Sequence, residues 1–158
     1  MARIQDLLDG DLIIEDLQTT DKAGVIGELA ALLQRKGKVG SADDIVRLVM
    51  ERESQGSTGI GDGIAIPHAK SAALGEMVVA FGRSHRGVDF ASLDGKPAFL
   101  IFLLVTPEDR PGDHLKTLAR ISRIMRNPAL RNELTHCTRK QEIQRLIVEE
   151  DSKYPNSR

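Results

Sequence analysis

The sequence predicts an α/β fold: one domain built on a mixed sheet with helices on its faces. Three observations predict it. Ala98 to Val105 is an unbroken apolar run, as suits a strand buried on both faces. Strand-like and helix-like segments alternate along the chain, though irregularly. A length of 158 residues fits one domain around one main core.

The elements follow in order. Leu12-Ile13-Ile14 reads as a short strand. From Asp21 to Lys36 the spacing predicts a helix with Val25, Leu29, Leu32 and Leu33 inward, closed by Gly37. A second helix starts after Ser41, which caps it with Asp44 as partner, and ends near Arg52-Glu53; Ile45, Val46, Val49 and Met50 form its buried stripe. Ile64-Ala65-Ile66 reads as a strand ending at Pro67. Met77 to Phe81 and Val88-Asp89-Phe90 read as two separate strands, and Asp94-Gly95 as a turn before the long apolar strand. Beyond a loop at Thr106 to Gly112, a helix runs from His114 to Arg126 with Asp113 as its N-cap. Leu115, Leu118, Ile121 and Met125 line its inner face; Arg120, Arg123 and Arg126 form a solvated one. Asn127 caps a brief helix at Pro128. Thr138 with Gln141 forms a capping box for a last helix through Ile143, Leu146 and Ile147. Residues 1–150 make the domain and 151–158 a loose polar tail.

Composition narrows the function. Net charge is -1 and the pI about 6.4, so nothing favours general nucleic-acid or membrane affinity. No apolar run reaches membrane-spanning length, and Met1-Ala2-Arg3-Ile4-Gln5-Asp6 turns polar too early for a secretion signal. A single cysteine, Cys137, allows no internal disulfide; it reads as a small, partly buried hydrophobe. These features point to a cytoplasmic protein.

The chemistry concentrates in GIGDGIAIPHAK, Gly59 to Lys70. Gly59, Gly61 and Gly63 permit backbone conformations that side chains disfavour, and Ser57 and Thr58 add hydroxyls. Such a loop can hold a phosphate through its N–H groups, but it lacks the lysine of a P-loop and the following helix of a dinucleotide fingerprint. Pro67 fixes its own φ and keeps Ile66 extended, which sets the direction of His68. A neutral imidazole serves as base, metal ligand or nucleophile. The other histidines are His85, His114 and His136. None pairs at metal-ligand spacing, and no metal or other cofactor is expected. His85 and His136 read as surface residues. His114, in the first turn of a helix whose dipole favours anions, is a site candidate. A Ser-His-Asp hydrolase needs a Gly-x-Ser-x-Gly elbow, which is absent.

These residues resemble a known family. Glu53, Ile60-Gly61 and Ile64-Ala65-Ile66-Pro67-His68-Ala69 resemble the phosphohistidine signature of mannitol/fructose-type enzyme IIA of the sugar phosphotransferase system. Gly56-Ser57-Thr58-Gly59-Ile60-Gly61-Asp62-Gly63 resembles its nitrogen-regulatory branch, enzyme IIA-Ntr. Val88-Asp89-Phe90, Leu93-Asp94-Gly95, Phe102-Leu103-Leu104 and His114-Leu115 extend the match to residues 4–148. The resemblance implies a sheet of about five strands sandwiched between helices. It implies phosphorylation of His68 on Nε2 by a phosphohistidine carrier, NPr or HPr, itself charged by enzyme I from phosphoenolpyruvate. It implies that Arg52 and His114 complete the site, with Ser57, Thr58, Gly59, Gly61 and Gly63 as phosphate donors. Asp62 stands where the branch often has Asn and is expected to face solvent; Ala69 replaces a common Gly. The resemblance further implies control of protein partners, such as potassium transport or sensor components. The alternatives are a sugar-specific IIA subunit serving a separate IIB protein, and a binding module that is not phosphorylated. Docking is expected on the apolar rim around His68 together with nearby charges.

Overall fold

β6, Ala98–Pro107, is the spine of the sheet, and every one of its residues but Phe99 is buried. The computed structural model describes residues 3–155. Along one edge of β6 runs β5, Val78–Val88, antiparallel to it, and β1, Ile13–Ile14, lies parallel to β5. Along the other edge run β3, Ile64–Ala65, and β4, His68–Ser71, both parallel to β6; β2, Gly59–Gly61, pairs antiparallel with β3. Ile64 faces Leu100 and His68 faces Leu104, so β3 and β4 share one register across Ile66-Pro67. They form one strand, interrupted where Pro67 has no N–H to give the ladder. Counted so, the mixed sheet has the five strands expected.

Helices cover both faces. α1, Ile4–Leu7, precedes β1. α2, Lys22–Arg35, and α3, Ala42–Glu53, pack on each other and against β5 and β4. α4, Pro111–Ile124, α5, Pro128–His136, and α6, Lys140–Ser152, cluster over β6 and β1. The caps that end α2 and begin α3 and α5 sit where the sequence places them. Ser41 accepts from the Asp44 N–H at 3.2 Å, and Asn127 from that of Ala129 at 3.0 Å. Gly37, at φ 70°, ends α2 in a Schellman motif: Lys38 N–H donates to Leu33 C=O and Gly37 N–H to Gln34 C=O. In the centre, Phe81 and Phe102 meet edge to face at 4.9 Å, worth about 1 kcal/mol beyond area burial.

Several expectations are corrected. Met77–Phe81 and Val88–Phe90 are not two strands; β5 runs on from the first to Val88, the start of the second, with a bulge between Arg83 and Val88, and Asp89 forms only an isolated bridge with Asp21. Arg83 and Ser84 are polar yet buried, so their apparent break in the pattern is a core position. Arg83 reaches the carbonyls of Glu15, Leu134 and Cys137. Pairing does not end at Pro67 but resumes at His68.

α4 begins at Pro111 rather than His114, with Arg110 at the N-cap and no side-chain cap, because proline suits the first helical position. Leu115 points outward, 67% exposed, whereas Arg120 is buried on an ion pair with Asp151 at 2.5 Å. Thr138 does not cap α6; Arg139 is its N-cap, and Glu15 accepts from Lys140 N–H at 2.9 Å. His136 ends α5 rather than lying in a turn, and it and His85 are exposed as expected. The tail does not loosen at residue 151: α6 continues to Ser152, and Asp151 is fully buried. Residues 156–158 of that expected tail, and Met1-Ala2 of the leader reading, lie outside the described residues.

Candidate functional site

Pro67 organises the first part of the site. His68 resumes the strand directly after it, and its ring folds back so that Nδ1 lies 2.7 Å from the carbonyl oxygen of Ile66. A carbonyl only accepts, so Nδ1 carries the hydrogen and donates. In the neutral ring this leaves the lone pair on Nε2. Burial lowers the His68 pKa, and the positive charges of Arg52 and Lys70 lower it further. The ring is half-buried and lines an open cavity of about 490 Å³.

α4 brings the second histidine. His114 is buried, its ring centroid 5.2 Å from that of His68 at an interplanar angle of 58°. Its backbone N–H is already given to Arg110 C=O, so the side chain alone serves the site. Nδ1 lies 2.7 Å from Oγ1 of Thr106, a fully buried hydroxyl with no other hydrogen-bond partner among the described residues. A buried hydroxyl hydrogen needs an acceptor, so Thr106 donates and Nδ1 accepts. The proton of neutral His114 therefore sits on Nε2. Burial, with the charges of His68 and Lys70, pushes the His114 pKa down to about 4. The two rings thus differ: His68 carries a bare Nε2, His114 a protonated one.

The C-terminal half of α3 closes the cavity with Leu48, Glu51 and Arg52, joined by Gln55 in the turn that follows; α4 adds Leu115 and Leu118, and β4 adds Lys70. Arg52 Nη1 donates to Gly56 C=O at 2.9 Å, which steadies the guanidinium while its other N–H groups remain for an anion. The next residue, Glu53, is buried. It takes an ion pair from Lys22 at 2.7 Å and hydrogen bonds from the N–H and hydroxyl of Thr58. This tie fixes the end of α3, and with it Arg52, against the loop that follows.

His68, Arg52 and His114 are therefore brought together, as the sequence reading expects. The loop residues are not. Gly59, Gly61 and Gly63 form the β2–β3 hairpin, and neither they nor Ser57 and Thr58 line the cavity. Their groups are engaged elsewhere. Ser57 donates to Phe90 C=O at 2.5 Å and accepts from Gly59 N–H, while Thr58 is bound to Glu53. The glycines serve packing: a Cβ at Gly59 would collide with Ser92, and Gly61 sits at φ 94° against Asp94. Asp62 is exposed, as expected, with its N–H given to Asp94 at 3.1 Å.

Sequence reasoning missed Lys70 and Thr106. Lys70 was findable, two residues beyond His68 on one face of a strand. Thr106 was not, because only the fold sets it beside His114.

The family model for the phosphoenolpyruvate-dependent sugar phosphotransferase system, EIIA 2, matches residues 6–150. The chain belongs to this family. A "Nitrogen regulatory protein" of Bradyrhizobium diazoefficiens is 38% identical over 132 residues, covering 83% of this chain and 85% of that protein. A "PTS system fructose-specific EIIABC component" of Bacillus subtilis is 38% identical over 149 residues; the match takes in 94% of this chain but spans only 24% of that protein. The crystal structure of nitrogen regulatory protein IIA-Ntr from Neisseria meningitidis superposes with a TM-score of 0.85 at 32% identity, covering 91% of this chain and 98% of that one. The mixed sheet between helices is thus the fold of this enzyme IIA family. Among the described residues, no helix is long and apolar enough to cross a membrane.

Proposed function

We propose that this enzyme IIA accepts a phosphoryl group on Nε2 of His68 from a phosphohistidine carrier of the NPr or HPr kind, and that its phosphorylation state controls other proteins. The observation that carries the reading is the Nδ1–H donation to Ile66 C=O, which leaves Nε2 as the nucleophilic lone pair in the open cavity. Attack forms the Nε2–P bond as the P–N bond of the donor breaks, and the electron pair of that bond stays on the donor imidazole. The His114 Nε2–H and the Arg52 guanidinium stabilise the equatorial oxygens. Lys70 adds charge. Both partners are imidazoles of similar leaving ability, so transfer runs in either direction.

Regulation is favoured by the likeness to nitrogen regulatory proteins over nearly the whole chain. The partners belong to the same proposal, potassium transport or sensor components among them. One observation favours a second reading, in which phosphate passes to a separate IIB protein for sugar uptake. A "PTS system fructose-specific EIIA component" of Haloferax volcanii is 37% identical and matched over 90% of its length.

Incubation with phosphoenolpyruvate, enzyme I and NPr should add the mass of one phosphoryl group, lost in His68→Ala. Undiminished labelling of that variant overturns the site. Efficient onward transfer to a IIB protein would favour uptake over regulation.

A further inference from the structure

A second cavity lies along α4, on residues that phosphoryl transfer does not use. It holds about 370 Å³ and is lined by Lys116, Ala119, Arg120, Arg123, Arg126, Tyr154 and Pro155. Helical spacing makes the pattern: positions 116, 119, 120 and 123 stack along one stripe of α4, and Arg126 follows in the turn just past its end. His114, Leu115 and Leu118, which line the histidine cavity, belong to the same helix.

Charge in this cavity is one-sided. Among the described residues, no carboxylate lines it. Arg120 forms a rigid part of the wall, since its Nε donates to Asp151 Oδ1 at 2.5 Å and its Nη2 to the carbonyls of Asp151 and Tyr154. Asp151 is thereby spent. Lys116, Arg123 and Arg126 are exposed and have no ion-pair partner among the described residues. The neighbour of Asp151 on α6, Glu150, is held by Lys153 at 2.9 Å and Asn127 at 3.1 Å. The Arg123 guanidinium stacks over the Tyr154 ring, 4.8 Å from its centroid, which restricts its motion. A net charge of -1 for the whole chain makes three unpaired cations around one hollow a local feature rather than a consequence of composition.

We infer that this hollow is a binding site for a phosphorylated small molecule of the polyphosphate class, separate from the phosphohistidine site. Arginine forks match phosphate oxygens two at a time, and several adjacent cations suit a ligand with more than one phosphate. The shape favours a small molecule over a protein surface: these residues line one concavity of ligand size. Because α4 carries both cavities, a ligand here grips the helix that positions His114.

The test is an NMR and calorimetric titration of the unphosphorylated protein with magnesium-free ATP and with inorganic pyrophosphate, at low and at physiological salt. The expected result is saturable binding with a Kd below about 1 mM. Shifts should centre on residues 116–126 and 154–155, and affinity should weaken as salt rises. The double variant Arg123→Gln/Arg126→Gln, both positions exposed, should lose at least about tenfold in affinity with its melting temperature nearly unchanged. His68→Ala should bind as the parent does. Equal binding by the double variant, shifts centred on His68, or no saturation by either phosphate overturns the proposal. Saturation by a poly-glutamate peptide but by neither phosphate overturns it in favour of an acidic protein partner.

Discussion

The rings of His68 and His114 stand 5.2 Å apart at 58°, each held through Nδ1 by a different kind of partner. A backbone carbonyl holds the first and forces its Nδ1 to donate; a threonine hydroxyl holds the second and lets its Nδ1 accept. The same side chain thus presents a bare Nε2 in one place and a protonated Nε2 in the other, 46 residues apart in sequence and adjacent in space.

Thr106→Val should test this division. The substitution keeps the shape and removes the hydroxyl, leaving the His114 tautomer unspecified. Phosphorylation by the carrier should slow roughly tenfold while the fold persists. Nitrogen NMR should show His114 redistributed between tautomers; an unchanged spectrum and rate would remove Thr106 from this role.

Arg52→Ala should slow phosphorylation by about a hundredfold, the range for losing one preorganised charge-stabilising donor. Arg52→Lys should restore only part of the rate, since an ammonium cannot both hold Gly56 and fork onto phosphate. Stopped-flow transfer from phosphorylated NPr measures both. Full activity in Arg52→Ala would place the clamp elsewhere.

Acid should destabilise the protein partly through His114. Its pKa falls from the ordinary 6.5 to about 4 on folding. Above pH 6.5 neither state binds the proton, so the group adds no pH dependence. Below that, the unfolded chain takes up a proton that the folded one refuses, and stability declines as pH falls towards 4. The total loss is about 3 kcal/mol. His68, also lowered, acts in the same direction. His114→Gln should flatten this part of the stability profile in urea melts from pH 7 to pH 4.

Asp151→Ala should cost about 3 kcal/mol or more, because Arg120 would remain buried with its charge uncompensated. Denaturant unfolding measures it. A loss below 1 kcal/mol would show that α6 is not anchored through this pair.

Leu115→Glu should weaken docking rather than chemistry. Leu115 is 67% exposed on the rim of the histidine cavity. Half-saturation should need several-fold more carrier while the limiting rate holds. A lowered limiting rate at unchanged half-saturation would contradict a docking role.

The sequence by itself determined the class of fold, the positions of α2 and α3, the central strand, and the placing of His68 directly after Pro67. Each rests on local information: apolar periodicity, the Ser41 and Gly37 caps, and a proline that sets the residue beside it. The resemblance carried by Ile64 to Ala69 added Arg52 and His114, which residue chemistry alone left open. Only the tertiary structure decided the rest. Arg120 and Asp151 look like surface charges until α4 meets α6, and burial becomes affordable only through that pairing. Arg83 and Ser84 break an apolar pattern on paper, yet carbonyls from distant segments satisfy Arg83 within one continuous strand. The glycine loop looks like a phosphate cradle, but its donors are taken by Phe90, Glu53 and Asp94, groups that approach only in the folded chain. Hydrogen-bond satisfaction is a property of three-dimensional neighbours, so periodicity locates the elements, whereas the spare donors and acceptors are known only once those elements are packed.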